Sequence, residues 1–362
     1  MTEQQAVASF DVIAFGRVSM DLYPQQHGPF ADATTFARSL GGSAANVAVA
    51  ASRLGRSAAL VSGVGADRPG AYVRGALRGF GVDDRWVTTH ATLHTPLVLA
   101  ELDPADDPGL EFYRAPSAPD LHLNLDLPGL RDSIVAGGVL WITGTGLSVN
   151  ESFGPTVDAM KLRRAARARD HIRADVHADT NANNHADGAH AHAHAHAHLT
   201  VFDLDWRPSL WPMGSNPRAK YQRAIEQADV VVGNRAEVAA ALNLGDVDAR
   251  DYHAAAELLL ESGVDVAIIK LGAEGVYVGT AAGSFELIGA TPVDVVCGLG
   301  AGDAFGGALC DGLLAGDHIT DVVARASAAG AYVAARLACA DAMPSRAELD
   351  DFITRARGHE HA

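Results

Sequence analysis

A glycine-rich stretch near the carboxyl end of the chain holds the residues best suited to chemistry. Gly298, Gly300 and Gly302 alternate immediately before Asp303, and an alanine-rich segment of helical period follows at residues 304–315. Glycines at a helix start let backbone N–H groups approach an anion at the positive end of the helix dipole. The pattern predicts an anion cradle, although a simple tight turn would account for the same residues.

Asp303 would stand in the first turn of that helix. A carboxylate at this position is either a residue that stabilises the helix start or a general base directed at whatever the cradle holds. The neighbouring residues do not separate these two interpretations, so the choice depends on the rest of the chain.

Composition and charge exclude several classes of protein. With 362 residues, of which 48% are hydrophobic, the chain can bury a large core as one large or two modest domains. A formal net charge of -16 argues against non-specific binding to nucleic acids or anionic membranes. No segment approaches the roughly 18 apolar residues of a membrane span, and the first residues carry no targeting pattern. We expect a cytoplasmic protein without a nucleic-acid or membrane partner.

The cysteines give no sign of a structural framework. Cys297, Cys310 and Cys339 are too few and too far apart for a set of disulfides or a Cys-x-x-Cys metal site. Their small number also fits a reducing compartment.

Short apolar runs alternate with segments of helical period through most of the chain. Buried strands are predicted at residues 10–15, 57–62, 139–143, 199–204, 230–232 and 266–269. Helices are predicted at residues 69–80, 155–171, 218–227, 251–262, 319–337 and 345–357. This alternation is typical of an α/β fold with a mostly parallel sheet.

Two helix starts carry capping residues. Ser43 can cap the helix that follows residues 41–42, and Ser345 with Glu348 has the spacing of a capping box. We therefore expect helices to begin at both places.

Two segments break the strand–helix alternation. Residues 17–38 and 86–116 contain short alternating runs, which predict a small β-sheet apart from the main one. No linker divides the chain cleanly. We therefore predict one core domain over residues 10–358, into which this small sheet is inserted as a lid.

Residues 175–198 form a low-complexity insertion rich in Ala, Asn, Asp and His. It ends in an alternating Ala-His run that contains His190, His192, His194, His196 and His198. Histidines at period two could line one face of a strand and bind Zn²⁺ or Ni²⁺. The alternative is a disordered surface insertion, which fits better because few apolar residues are present to offset the entropy cost of ordering.

Two separated stretches match one family. Residues 41–55 together with residues 63–67 resemble the first signature of ribokinase-like (phosphofructokinase B-type) carbohydrate kinases, and residues 300–305 resemble the second. The resemblance covers about residues 10–355 without the insertion. It implies a three-layer αβα core with a mostly parallel sheet, a small β-sheet lid, and phosphoryl transfer from ATP to a sugar hydroxyl.

Four stretches indicate a branch of the family. Residues 16–24, 112–116, 203–208 and 298–307 look most like those of members that phosphorylate a keto-deoxy sugar acid. A 2-keto-3-deoxygluconate kinase or a fructokinase- or ribokinase-like enzyme is the alternative. A sensor of sugar or nucleotide that has lost the chemistry is a further alternative, because a fold does not fix a function.

The resemblance implies a catalytic role for Asp303. Its carboxylate would accept the proton of a primary hydroxyl, while the amides of Gly300, Ala301 and Gly302 stabilise charge on the phosphoryl group. The sugar would lie between the first helix and the lid.

Sugar contacts are expected from both sides of that first helix start, namely from Asp21, Gly41, Gly42 and Asn46. Without the resemblance, Asp21 could equally be a turn residue and Asn46 a solvated helix residue. A substrate carboxylate would call for a bidentate arginine, and the candidates are Arg17 and Arg114. Arg114 could instead be a solvated charge on an edge strand.

Nucleotide contacts are implied at the ends of three predicted strands. The residues are Lys270, Gly272, Gly275, Asn234 and Arg207. Lys270 and Arg207 could alternatively be surface cations.

The resemblance also implies metal cofactors. Asn234 and Glu237 would hold Mg²⁺, largely through water. The family's usual Asp-Thr pair, which belongs to its monovalent-cation site, is replaced by Cys297 and Gly298. The resemblance therefore leaves open whether K⁺ is a cofactor. The resemblance further suggests a homodimer that forms through the lid.

Overall fold

The fold is built around two β-sheets. The computed structural model of the chain describes residues 9–26, 30–102, 108–180, 198–244, 251–337 and 339–359. In chain order the strands are β1 (Val12–Phe15), β2 (Ser19–Pro24), β3 (Phe36–Gly41), β4 (Ala58–Gly65), β5 (Val82–His90), β6 (Leu97–Glu101), β7 (Gly109–Tyr113), β8 (Val139–Thr143), β9 (Leu199–Asp203), β10 (Val230–Asn234), β11 (Val266–Lys270), β12 (Val276–Thr280) and β13 (Phe285–Ile288).

Helices connect most of these strands. They are α1 (Ser43–Arg53), α2 (Arg68–Gly79), α3 (Leu130–Ala136), α4 (Asn150–Thr180), α5 (Pro217–Ile225), α6 (Arg235–Leu242), α7 (Tyr252–Glu261), α8 (Ala301–Ala315), α9 (Ile319–Ala334) and α10 (Arg346–His359). Ser345 and Glu348 form the predicted capping box before α10, since the Ser345 N–H donates to Glu348 Oε2 at 2.7 Å and the Glu348 N–H donates to Ser345 Oγ at 3.4 Å.

The large sheet has the strand order β13-β12-β11-β10-β9-β8-β1-β4-β5. Its strands pair in parallel from β5 to β11, and β12 and β13 are antiparallel. The α/β fold with a mostly parallel sheet is therefore confirmed. Because the parallel strands end at the same edge, the residues that follow them are brought close together.

The small sheet has the order β3-β2-β6-β7. Strand β2 pairs antiparallel with β3 and parallel with β6, and β6 pairs antiparallel with β7. This sheet is the predicted lid, but its second segment begins later than expected. Residues 82–90 form β5, the edge strand of the large sheet, so residues 86–90 do not belong to the lid.

The core lies on both faces of the large sheet. Along β1, Val12 and Ala14 belong to one apolar cluster with α1, α8 and α9, whereas Ile13 and Phe15 belong to another with α3, α4 and α5. Side chains alternate between the faces of a strand, so a central strand must be apolar on both. The result is the three-layer arrangement of helices, sheet and helices.

Helix α4 differs from its predicted length. It runs from Asn150 to Thr180, beyond the expected residues 155–171. The first residues of the predicted disordered insertion, 175–180, therefore continue this helix. Residues 181–197, with most of the Ala-His run, lie outside the described residues. Within the described ranges, no helix combines the length and the apolar character needed to cross a membrane.

Candidate active site

Asp303 lies in the first turn of α8, which starts after Gly300 in the left-handed conformation with φ of 80°. Both of its carboxylate oxygens accept hydrogen bonds from α1. Ser43 Oγ donates to Oδ1 at 2.7 Å, and Asn46 Nδ2 donates to Oδ2 at 2.8 Å. Burial raises the pKa of the Asp303 carboxyl, and these two hydrogen bonds oppose that rise. The carboxylate is therefore held in one orientation as a base of increased strength.

The start of α1 is shaped by glycine. Gly42 precedes the helix with φ of 94° and no side-chain cap, and a Cβ there would lie 2.5 Å from the carbonyl oxygen of Arg17. The prediction that Ser43 caps this helix was wrong, because Gly42 occupies the N-cap position and Ser43 is already the first residue of the helix, with its hydroxyl donating to Asp303. Only glycine fits the close backbone approach at Gly42.

One cavity opens on the lid side of Asp303. It encloses about 450 Å³ free of protein atoms, including the part open to solvent. It is lined by five residues expected to contact the sugar or to act on it, Arg17, Asp21, Gly42, Asn46 and Asp303. We refer to it as the sugar cavity.

Asp21 is a buried acid in the sugar cavity. Ser19 Oγ donates a 2.6 Å hydrogen bond to Asp21 Oδ1, and a Cβ on Gly41 would lie 2.0 Å from the carboxyl group. Burial raises the pKa of Asp21 from 3.8 to about 6, although Ser19 and Arg17 act in the opposite direction. Gly41 therefore makes room for Asp21 and does not line the cavity itself.

Asp205, which sequence reasoning did not single out, connects two arginines of the sugar cavity. Arg17 Nη2 donates to both Asp205 oxygens at 3.1 and 2.8 Å, and Arg207 Nε donates to Oδ1 at 3.2 Å. Asp205 follows β9 with an unusual φ of 34°. Burial would raise its pKa, but Arg17 and Arg207 outweigh burial and hold the pKa below its ordinary value. A polar residue two positions after a strand end was the available signal.

Arg114 occupies a different place from the one expected. Its guanidinium donates to both oxygens of Asp120, with Nη2 to Oδ1 at 2.8 Å and Nη1 to Oδ2 at 3.3 Å. Asp120 is 2% exposed and also accepts the Val18 N–H at 3.3 Å. Arg114 is not among the described residues that line the sugar cavity, so its expected contact with a substrate carboxylate stays a prediction.

A second cavity lies on the other side of the start of α8. It encloses about 1580 Å³ free of protein atoms, including its open part. Lys270, Gly272 and Gly275, which were expected to contact the nucleotide, line it together with Ala301 and Gly302. Gly300 lines the sugar cavity instead. The first turn of α8 therefore separates the two cavities. We refer to the second as the nucleotide cavity.

Lys270 points toward the start of α8. A Cβ on Gly302 would lie 3.5 Å from Lys270 Nζ, which also lies 3.7 Å from Asp203 Oδ1. Burial would lower the pKa of Lys270, but Asp203 and Glu237 outweigh burial and raise it. A stable positive charge therefore stands beside the helix start.

Asp203 is a second group that the sequence reasoning did not assign. It ends β9, is 5% exposed, and its Oδ1 accepts no hydrogen bond. Burial raises the pKa of its carboxyl, whereas Lys270 lowers it and Glu237 raises it further. Its ion-pair partner, Lys270 Nζ at 3.7 Å, lies beyond hydrogen-bonding distance, so this oxygen keeps lone pairs for a further ligand.

Asn234 and Glu237 form a capping box at the start of α6. The Asn234 N–H donates to Glu237 Oε2 at 2.7 Å, and the Glu237 N–H donates to Asn234 Oδ1 at 2.9 Å. Neither is among the described residues that line the two cavities. Glu237 is nevertheless near Lys270, whose pKa it raises. In the described part of the chain, no group of three or more His, Cys, Asp or Glu residues could hold a metal by itself.

Comparison with known proteins identifies the family. A family model described as pfkB family carbohydrate kinase matches residues 9–171 and 161–346. A protein of Photobacterium profundum named 5-dehydro-2-deoxygluconokinase is 31% identical over 347 residues, which cover 95% of this chain and 94% of that protein. A protein of the same name from Bacillus anthracis is 28% identical over 350 residues, or 96% of each chain.

A solved structure shows the same fold. The crystal structure of a fructokinase with bound ATP from Xylella fastidiosa has a TM-score of 0.74 and 24% sequence identity. The similarity covers 95% of this chain and 98% of that one. The three-layer core and the separate small sheet are therefore those of known sugar kinases.

Proposed function

Because the chain belongs to the pfkB family of carbohydrate kinases and is an ATP-dependent sugar kinase, we propose that its substrate is 5-dehydro-2-deoxy-D-gluconate. Phosphorylation of the primary hydroxyl of this acid is a step of myo-inositol breakdown. The names of the relatives and the four sequence stretches of that branch support this choice.

The placement of Asp303 carries the proposed mechanism. Its carboxylate faces the sugar cavity, and the turn that it belongs to borders the nucleotide cavity. Asp303 accepts the proton of the primary hydroxyl as that oxygen bonds to the γ-phosphorus of ATP. The bond to the β,γ-bridging oxygen breaks, and ADP leaves. The amides of Gly300, Ala301 and Gly302 stabilise the charge on the phosphoryl oxygens.

The two arginines of the sugar cavity bind different anionic groups, Arg207 the transferred phosphoryl group and Arg17 the substrate carboxylate. Asp205 holds Arg207 only through Nε among the described contacts, so the two terminal nitrogens of Arg207 are left to face the transferred phosphoryl group. Arg17 lines the sugar cavity, and its Nε and Nη2 already donate to Thr145 and Asp205, so Nη1 is left to bind the substrate carboxylate. Both roles use the planar donor geometry of a guanidinium.

Mg²⁺ fits the residues beside Lys270. Asp203 Oδ1, which pairs with Lys270 but accepts no hydrogen bond, and the carboxylate of Glu237 offer the oxygen ligands that this ion prefers, directly or through water. When bound, the ion neutralises charge on the ATP phosphates. Asn234 contributes through the cap that orients Glu237.

K⁺ does not fit the positions at which the family's Asp-Thr pair would stand. Cys297 is a fully buried thiol, and Gly298 has no side-chain oxygen. A hard cation prefers oxygen ligands, so these two residues are poorly suited to hold it. We propose that the enzyme works without K⁺.

The lid also supports a proposed homodimer. Its two edge strands, β3 and β7, expose the aromatic residues Phe36 (37%) and Tyr113 (52%). Exposed aromatic residues on edge strands are typical of a surface that pairs with a partner. Light scattering should give twice the chain mass for the wild type and the single chain mass for Tyr113→Glu; a monomeric wild type would contradict the dimer.

A panel of acceptors tests the proposed substrate. ADP release should be measured with ATP, Mg²⁺ and either 5-dehydro-2-deoxygluconate, 2-keto-3-deoxygluconate, fructose or ribose. The proposal expects the highest kcat/KM for the first. A higher value for another acceptor would reassign the substrate within the family, and binding without turnover of any acceptor would favour a sensor.

A further inference from the structure

The two sides of the sugar cavity differ in polarity. Asp303, Asn46 and Ser43 of the helical core, with Ser19 and Asp21 of β2, form a side rich in hydrogen-bonding groups. Sugar hydroxyls exchange water for such groups at little cost. This side therefore suits the hydroxyl-bearing carbons of a substrate.

The adjoining part of the lining is apolar and is formed by Val98, Leu110 and Phe112 of the lid and by Leu299 just before α8. We call these four residues the lid wall. Val98 of β6 lies directly opposite Phe112 of β7, on the lid face that also carries Asp21. Leu110 and Leu299 pack against a buried apolar cluster, so the wall is fixed in place.

Two polar groups beside the lid wall already bind each other. The hydroxyl of Tyr23 and the thiol of Cys339 lie 2.8 Å apart and are hydrogen-bonded to each other. Both residues are nearly fully buried within the cluster that supports Leu110 and Leu299. A substrate hydroxyl against Leu110 or Phe112, which lie one strand further from Asp21 than Val98 does, would therefore lose its water without gaining a partner from this pair, which is unfavourable.

Arg17 relates the lid wall to one carbon of the substrate. Its guanidinium carbon lies 5.8 Å from the centre of the Phe112 ring. A carboxylate bound by Arg17 would therefore bring the adjacent carbon, C2 of a sugar acid, beside Phe112. In 5-dehydro-2-deoxygluconate this carbon is a methylene.

We infer that the lid wall selects acids that lack a hydroxyl at C2, so that the enzyme discriminates against the otherwise identical 2-hydroxy acid. This inference rests on the proposed function, which places the primary hydroxyl at Asp303 and the carboxylate at Arg17. An apolar surface rejects an added hydroxyl by about 10- to 100-fold in kcat/KM. The lid thus determines substrate specificity as well as covering the site.

A pair of acids tests the inference. 5-Dehydro-2-deoxygluconate and 5-dehydrogluconate differ only in the hydroxyl at C2, and kcat/KM should be about 10- to 100-fold higher for the deoxy acid. Equal values would overturn the inference while leaving the kinase function intact. Turnover of neither acid would contradict the proposed function itself and remove the basis of the inference.

Variants of the lid wall show whether these side chains cause the preference. Val98→Thr keeps the size of the side chain and adds a hydroxyl, so it should reduce the preference for the deoxy acid by at least about threefold. Leu110→Asn provides a second test in case the first variant folds poorly. Leu99→Thr on the other face of β6 is the matched control and should keep the wild-type ratio. An unchanged ratio in both wall variants would overturn the inference.

Discussion

The side-chain amide of Asn46 donates a 2.8 Å hydrogen bond to Asp303 across 257 residues of sequence. The bond depends on the close packing of α1 against α8. At the contact, a Cβ on Gly307 would lie only 2.3 Å from the Cβ of Ala50, so glycine permits the approach of the two helices. The orientation of the proposed base is therefore a property of helix packing.

The acid limb of the pH–rate profile should report this hydrogen bond. Asp303 must be ionised to accept a proton, so kcat/KM falls as the pH decreases through its raised pKa. Asn46 stabilises the ionised form, so Asn46→Ala should raise that pKa further and move the acid limb to higher pH. Ser52 lies on the same helix as Asn46, and its hydroxyl donates to the carbonyl oxygen of Phe80, which follows α2. Ser52→Ala removes this hydrogen bond and should leave the acid limb in place. If the acid limb does not move in Asn46→Ala, the hydrogen bond from Asn46 does not lower the pKa of the base.

Arg17→Lys should weaken binding of the sugar acid. A lysine keeps the charge but lacks the planar pair of donors, so it cannot hold Asp205 and a carboxylate together. We expect the KM for the sugar acid to rise about tenfold, equivalent to about 1.4 kcal/mol, with little change in the KM for ATP. Equal effects on both KM values would mean that Arg17 does not bind the acid.

Arg114→Met should reduce stability without changing specificity. The substitution leaves the Asp120 carboxylate buried and unpaired, which costs about 3 to 5 kcal/mol. Thermal unfolding should show a clear loss in this variant and a smaller loss when Asp120→Leu is added. A normal melting temperature combined with a raised KM for the sugar acid would restore the original assignment of Arg114 to the substrate.

Asp21→Asn should stabilise the protein in a pH-dependent way. Burial raises the pKa of Asp21 from 3.8 to about 6. Between these pH values the carboxyl of Asp21 is ionised in the unfolded protein and protonated in the folded one. The protonated carboxyl therefore contributes fully to the free energy of unfolding below about pH 3.8, and this contribution is lost as the pH rises through about 6. The rise in pKa corresponds to at most about 3 kcal/mol.

Unfolding by urea at pH 8 and pH 4 measures this effect. The free energy of unfolding of Asp21→Asn should exceed that of the wild type at pH 8 and equal it at pH 4. Sugar binding should weaken at both values, because Asp21 lines the sugar cavity. An equal gain at the two pH values would show that ionisation of Asp21 is not the cause.

The sequence predicts those parts of the site that depend on neighbouring residues. The places of Gly300 to Asp303 at a helix start and of Lys270 at a strand end could be predicted because helix starts and strand ends have local patterns. The parts that depend on distant partners could not. Ser43 was expected to cap its own helix, yet it binds Asp303 260 residues away, and Asp205 meets Arg17 at a separation of 188 residues.

The predicted start of the second lid segment was wrong for a different reason. Strand β5 is an edge strand, and its half-exposed alternating residues resemble those of the small sheet. Periodicity reports how exposed a strand is but does not report which sheet it joins. The pairing of β5 with β4 therefore emerged only from the three-dimensional structure.

The most direct test of the account is a comparison of Asp303→Asn with the wild type. Both proteins should be measured by calorimetry for binding of the sugar acid and by ADP release at saturating ATP, Mg²⁺ and sugar acid. With Asp303 as the general base, the variant should bind the acid with similar affinity while kcat falls about 10² to 10⁴-fold. A kcat within a few-fold of the wild-type value would contradict the central claim that Asp303 accepts the proton of the sugar hydroxyl.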